Sequence, residues 1–290
     1  MIQNTFSFHF GDLECLAIRD TIEPLDLALF FPAIKVDDIL TLAKQYNIPL
    51  SDKFEISPLL IRTSQHTVLI DTGMPPASKP NAGMMIQILQ DLGISSRDID
   101  TVIISHAHPD HIGGNLNSEN KPNYPAARYF IPQTEWDFWS SEPELKHMDP
   151  MIRQEMLDCV QKNLFSIKDR IIPINSGEDI IPGFQYVPVP GHTPGHSAVS
   201  ISSGNKRLLY LGDTCHSVIQ LTRPDWVTPF DIDSAQAVVS RKQIINRALA
   251  ENTLLFFSHF PFPPSGYIIK KGDLCFWQAQ YSNGSSIQGS

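Results

Sequence analysis

A chain of 290 residues with 42% hydrophobic content is long enough to bury a sizeable core in one large domain or two small ones. Asp and Glu outnumber Lys and Arg by 31 to 22, giving a net charge of −9; with no basic run, this argues against a nucleic-acid partner. No stretch is apolar enough to cross a bilayer and the first residues lack a signal-peptide pattern, so a cytoplasmic location without membrane association is expected. The four cysteines, Cys15, Cys159, Cys215 and Cys275, form no Cys-x-x-Cys pair and read as free thiols.

In chain order, residues 5–19 alternate and predict two short strands joined at Gly11-Asp12. Residues 24–50 form an arm of a different kind. Phe30-Phe31-Pro32 leads into Val36–Ala43, whose apolar positions recur at helical spacing. The arm is expected to line a site entrance, to form a homodimer interface or simply to pad the fold. Residues 57–63 and 66–71 predict a hairpin turning at Ser64-Gln65, with His66 as a solvated turn residue. A helix over 81–92 follows, stopped by Gly93. The β-branched run at 100–104 then reads as a buried strand.

That strand runs into Ser105-His106-Ala107-His108-Pro109-Asp110-His111, the densest chemical signal in the chain. Three imidazoles and a carboxylate within six positions suit zinc, and no thiolate is needed. In an extended stretch alternate residues share a face, so His106 and His108 could hold one ion. Asp110 and His111, beyond the turn at Pro109, could then face a second. Gly113-Gly114 allows close backbone approach behind them.

Downstream, a strand is predicted over 127–131 and a helix over Gln133–Ser140 with Trp136, Phe138 and Trp139. Another helix lies within 142–168, where His147 has no motif around it. Strands follow at 171–174, 184–189, 197–202 and 207–211, then the clearest helix, Ser234–Ala250, capped by Asp233 or Ser234. Strands at 254–258, 267–270 and 274–278 complete a single domain over 1–281. The polar, Gly/Ser-rich tail 282–290 is expected to be disordered. Periodicity alone says mixed α/β.

The His-x-His-x-Asp-His run resembles the metallo-β-lactamase superfamily, and four further motifs stand in that superfamily's order. They are Val68–Gly73 upstream, then Gly191-His192-Thr193-Pro194-Gly195-His196, Tyr210–Thr214 and Phe257–Phe260. The resemblance implies a four-layer α/β/β/α sandwich and two metal ions, zinc first, with iron, manganese or cobalt as substitutes. It assigns His106, His108 and His192 to one ion and Asp110, His111 and His259 to the other, with Asp213 bridging. Asp71 would accept an N–H from a ligand imidazole, unless it only caps its turn. His196 and Cys215 read as structural rather than ligating.

Within the superfamily the chain resembles methyl parathion hydrolase and related lactonases, through Glu135–Trp139, Gly212–Gln220, Asp231–Ser234 and Ser258–Pro263. This implies hydrolysis of a small apolar ester, a lactone above others, by hydroxide generated at the ions, with Asp110, Asp213 and His216 catalytic. Trp139 and Phe230 would wall the substrate pocket and His216 would point into it. The ordinary alternatives are a core aromatic for Trp139 and a loop cap for His216. Phosphotriester hydrolysis is the nearest rival and a side activity. A glyoxalase II-like thioesterase and an iron-dependent persulfide dioxygenase use similar ligand motifs.

Overall fold

The computed structural model describes residues 4–76, 79–146 and 148–280; His147 and the 282–290 tail lie outside them. β1 (Thr5–Phe10) and β2 (Leu13–Ile18) form the expected hairpin, and Phe8 faces Cys15 across it. β3 (Thr21–Pro24), α1 (Leu27–Phe30), α2 (Val36–Tyr46) and β4 (Lys53–Ile56) make up the arm and its two feet. β3 and β4 pair antiparallel, a ladder that Glu23, Pro24 and Lys53 disguise as loop. β5 (Leu59–Arg62) and β6 (Thr67–Ile70) form the second hairpin. His66 at its turn is not free in solvent, because its Nδ1 lies 2.9 Å from Asp100 Oδ1.

The helix expected from 81 begins later, as α3 (Met85–Asp91). Gly83 is left-handed at φ 70°, and the buried Asp20 accepts the backbone N–H of Met85 at 2.8 Å, so a distant carboxylate decides where this helix starts. β7 (Thr101–Ile103), α4 (Pro109–Ile112), β8 (Arg128–Pro132), α5 (Gln133–Ser140), α6 (Pro150–Asn163) and β9 (Ile171–Ile174) follow. The first sheet runs β1-β2-β5-β6-β7-β8-β9, with β6 through β9 parallel.

The second sheet holds β10 (Asp179–Ile181), β11 (Phe184–Pro188), β12 (Ser197–Ser203), β13 (Lys206–Tyr210), β14 (Leu254–Phe256), β15 (Ser265–Lys271) and β16 (Leu274–Ala279), neighbours in that order. Only the β13–β14 pair is parallel, because α7 (Ile219–Thr222) and α8 (Ser234–Glu251) cross between them. Asp233 caps α8 by accepting the N–H of Gln236 at 2.9 Å.

Strand alternation sorts the core into layers. Leu59, Ile61, Val68 and Ile70 face inward to meet Leu208, Tyr210 and Phe256 of the other sheet. Their neighbours Leu60 and Leu69 face outward onto α3, α5 and α6, and Leu209 and Leu211 face outward onto α2, α7 and α8. Both faces of the central strands are therefore buried, so they read as continuous apolar runs. The result is the four-layer α/β/β/α sandwich.

Candidate metal centre

The site forms where loops at one end of both sheets meet. Past β7 the chain stays extended through His108, and Pro109 then starts α4. This short helix packs its backbone against the turn after β6: the His111 carbonyl accepts from Thr72 N at 2.8 Å. A Cβ at Gly114 would run into the Thr72 carbonyl, which is the steric reason for the Gly-Gly pair. The second sheet supplies His192 between β11 and β12, Asp213 and His216 after β13, and His259 after β14.

These loops bring together two groups that could hold metal ions, His106 with His108 and His192, and Asp110 with His111, Asp213 and His259. Asp213 stands between them. Its Oδ1 is 2.9 Å from His111 Nε2 and 3.0 Å from His259 Nε2. Its Oδ2 is 3.2 Å from His192 Nε2 and 3.9 Å from His106 Nε2. Asp110 Oδ2 lies 3.5 Å from both His111 Nε2 and His259 Nε2. A third overlapping group, His192, Asp213 and His216, arises because His216 Nε2 is 3.2 Å from Asp213 Oδ2.

Burial would raise the Asp213 carboxyl, but the imidazoles of His111, His259, His192 and His106 outweigh it and hold the group well below the usual range. Asp110 is held low against its burial in the same way, chiefly by His111. Burial pushes His106 and His108 well below the ordinary imidazole value, which keeps them neutral, as ligands must be.

Whether the residues fit metal ions is answered by their orphaned atoms. The Nε2 atoms of His106, His108, His111, His192 and His259 and Oδ1 of Asp213 are buried without a hydrogen-bond partner among the described residues. Buried polar atoms are rarely left so, and five imidazole nitrogens converging on one carboxylate are a donor set for divalent cations.

The other ring nitrogens are tied down. His111 Nδ1 lies 2.7 Å from Asp71 Oδ2. Asp71, at a left-handed φ of 59°, also accepts from Ser105 N at 2.8 Å and Tyr210 OH at 2.8 Å. His192 Nδ1 is 3.0 Å from Asp231 Oδ1, and His259 Nδ1 is 2.9 Å from the Glu55 carbonyl oxygen. Each of these three rings is thereby oriented with Nε2 toward the centre. Asp231 and Glu55 carried no such role in the sequence reading. Asp231 looks like part of the lead-in to α8, and a backbone carbonyl leaves no residue-type signal.

His196 stands beside the metal groups, where its Nε2 accepts the Asp213 N–H at 3.2 Å, and burial lowers its pKa to about 3. A neutral acceptor that fixes the Asp213 backbone is a structural part. The Cys215 thiol is buried, with its pKa pushed up to about 12 by that burial.

A cavity of about 280 Å³ opens over the centre and is lined by Asp110, His216, Phe230, Phe30, Phe54 and Met156, among others. The arm thus reaches the site: the Phe30 ring sits 4.9 Å from Phe54 and 5.5 Å from Phe230. Trp139 is not at this wall. Its indole is in the core, edge-on behind His108, because its N–H finds a buried acceptor, Glu135 Oε1, at 2.7 Å. No helix among the described residues is long and apolar enough to cross a membrane.

Comparison with known proteins adds to this geometry. The family model described as the metallo-beta-lactamase superfamily matches residues 52–259. An N-acyl homoserine lactonase of Bacillus cereus is 26% identical over 227 residues, 69% of this chain and 79% of that protein. A hydroxyacylglutathione hydrolase of Photobacterium profundum is 30% identical over 160 residues, 55% of this chain and 46% of its own. The structure of AidC, a dizinc quorum-quenching lactonase in complex with a product, superposes with a TM-score of 0.88 at 30% identity, covering 96% of this chain and 98% of that one. The hydrolase AbOPH shares the fold at a TM-score of 0.87, 23% identity, 97% of this chain and 99% of that one. With the matched segment spanning every strand from β5 to β14 and the ligand loops between them, the chain belongs to the metallo-β-lactamase superfamily and is a metal-dependent hydrolase.

Proposed function

We propose that this hydrolase opens the ring of a small lactone carrying an apolar chain, of the N-acyl homoserine lactone kind, with two divalent ions, zinc by preference. The reading rests on one observation above others. The two oxygens of Asp213 divide between two sets of imidazoles directly beneath an apolar cavity. The names of the relatives point the same way.

In this reading His106, His108 and His192 hold one ion, Asp110, His111 and His259 hold the other, and Asp213 is shared. When bound, the ions supply Lewis acidity and a water pKa low enough for a nucleophile at neutral pH. The remaining work falls to the chain. Asp110 is 19% exposed while the Asp213 side chain is 3% exposed, so Asp110 is the ligand carboxylate that meets substrate. It takes a proton from the attacking water and passes it to the ring oxygen as the C–O bond breaks. Burial holds His216 below the ordinary imidazole value, and as a neutral ring it orients the ester. Phe30, Phe54, Phe230 and Met156 receive the apolar chain and exclude water.

Phosphotriester hydrolysis is the second reading, favoured by the three phenyl rings at the wall, which suit an aryl group. A glutathione thioester suits the cavity less. Lys79 is the one Lys or Arg among its described lining residues, and it is already paired with Glu23 at 2.9 Å. Turnover of metal-replete protein on lactones, aryl esters, phosphotriesters, β-lactams and glutathione thioesters tests the proposal. The acyl lactone should give the highest kcat/KM; a phosphotriester or thioester well above every lactone would reject it.

A further inference from the structure

Glu135 lies in the first turn of α5 with none of its surface exposed, and among the described residues no ammonium or guanidinium pairs with it. Four donors meet its charge instead. Oε1 accepts the backbone N–H of Ala107 at 2.9 Å and the indole N–H of Trp139 at 2.7 Å. Oε2 accepts the backbone N–H of Gly195 at 3.1 Å and the hydroxyl of Thr193. A carboxylate buried without a counter-ion needs such a full set of donors.

The identity of those donors is what matters. Ala107 lies between His106 and His108, and Thr193 follows His192. One carboxylate therefore grips both loops that carry the imidazoles of a single metal group, one loop from each sheet. It makes no hydrogen bond to the loops of Asp110, His111 or His259. The fit is close, since a Cβ on Gly195 would collide with the Glu135 backbone. Trp139, set aside above as a pocket wall, serves here by occupying the remaining lone pair on Oε1.

We propose that Glu135 is a positioning residue that sets the separation of His106 and His108 from His192, and so fixes the affinity of that ion site independently of the other. This rests on the reading that the two groups hold ions. A glutamine fills the same volume but presents one acceptor oxygen and a donor NH₂, so Glu135→Gln must lose one of the two arms and turn a donor against a donor. Groups that orient metal ligands typically contribute 10–100-fold in affinity.

The test uses the full chain, stripped of metal and titrated with Cd²⁺ in competition with a chelator, with ¹¹³Cd NMR giving one resonance for each site. His108→Ala and His259→Ala assign the two resonances. Glu135→Gln should weaken the His106–His108–His192 site by about 10–100-fold, shift its resonance, and leave the other site unmoved. Thr193→Val should weaken the same site less and Thr193→Ser should restore it; this pair reads the proposal should Glu135→Gln fail to fold. Equal weakening at both sites, or no weakening at either, overturns the role given to Glu135 while leaving the metal centre standing. An unsubstituted protein that takes up no Cd²⁺ would overturn both.

Discussion

Replacing Asp231 by asparagine tests whether a carboxylate outside the ligand set governs the metal site. Oδ1 lies 3.0 Å from His192 Nδ1, so the carboxylate fixes this ring's tautomer and raises the basicity of Nε2. Asparagine can keep a neutral contact there but not the charge. The expected loss is about 10–100-fold in metal affinity, or about 1.4–2.8 kcal/mol at 1.4 kcal/mol for each tenfold. A second effect falls on the fold. Oδ2 is 3.7 Å from Nη2 of Arg241, a guanidinium with none of its surface exposed. Breaking a buried ion pair costs about 3–5 kcal/mol when the surviving charge is left bare. Arg241 is not left bare, since it also donates to the carbonyls of Thr214, Pro224 and Trp226 at 2.8, 2.8 and 2.9 Å. The loss should therefore stay near the value for one hydrogen bond to a charged group, about 1.5–3 kcal/mol. Denaturant titration of metal-free protein measures the second term, and chelator competition measures the first. Native chelator resistance in a folded Asp231→Asn protein would refute the coupling through His192.

Three further outcomes are expected. Asp213→Ala should cut turnover by orders of magnitude and lower metal content below two per chain with the circular dichroism spectrum retained; full activity with both ions bound would show that Asp213 does not join the sites. His216→Leu should lower lactone turnover by about 10²–10⁴-fold while sparing phosphotriester turnover at unchanged metal content, whereas equal losses on both substrates would mark a structural role. Asp20 gives a pH test away from the metal centre. Burial raises its pKa from 3.8 to about 6 against the hydrogen bonds it accepts, so the folded state binds this proton more tightly than the unfolded state. Its contribution to stability is then greatest below pH 4, falls as pH rises toward 6 and is flat above. The stability difference between native protein and Asp20→Asn should thus move toward the variant by about 3 kcal/mol across that window, at 1.36 kcal/mol per pKa unit. A pH-independent difference would refute it.

Much of this was legible in the residues alone. His106, His108, Asp110 and His111 crowd one short segment, and few chemistries besides metal ligation call for that combination. Strands buried on both faces announce themselves as unbroken apolar runs, as Leu208–Leu211 does, and α8 carries its own cap in Asp233. Such features are local, so the sequence order that encodes them is the order in which they act. Other parts became visible only when the two sheets were docked. The Glu55 carbonyl holds His259 across 204 residues, and Glu135 reaches Thr193 across 58. Asp20 starts a helix 65 residues away, which is why α3 begins later than its periodicity suggests. Trp139 could be read as pocket or core until its indole N–H had an acceptor. A hydrogen-bonding group has many possible partners in the chain and takes the one that packing brings within reach, so ligand types follow from sequence while the groups that aim them follow from tertiary structure.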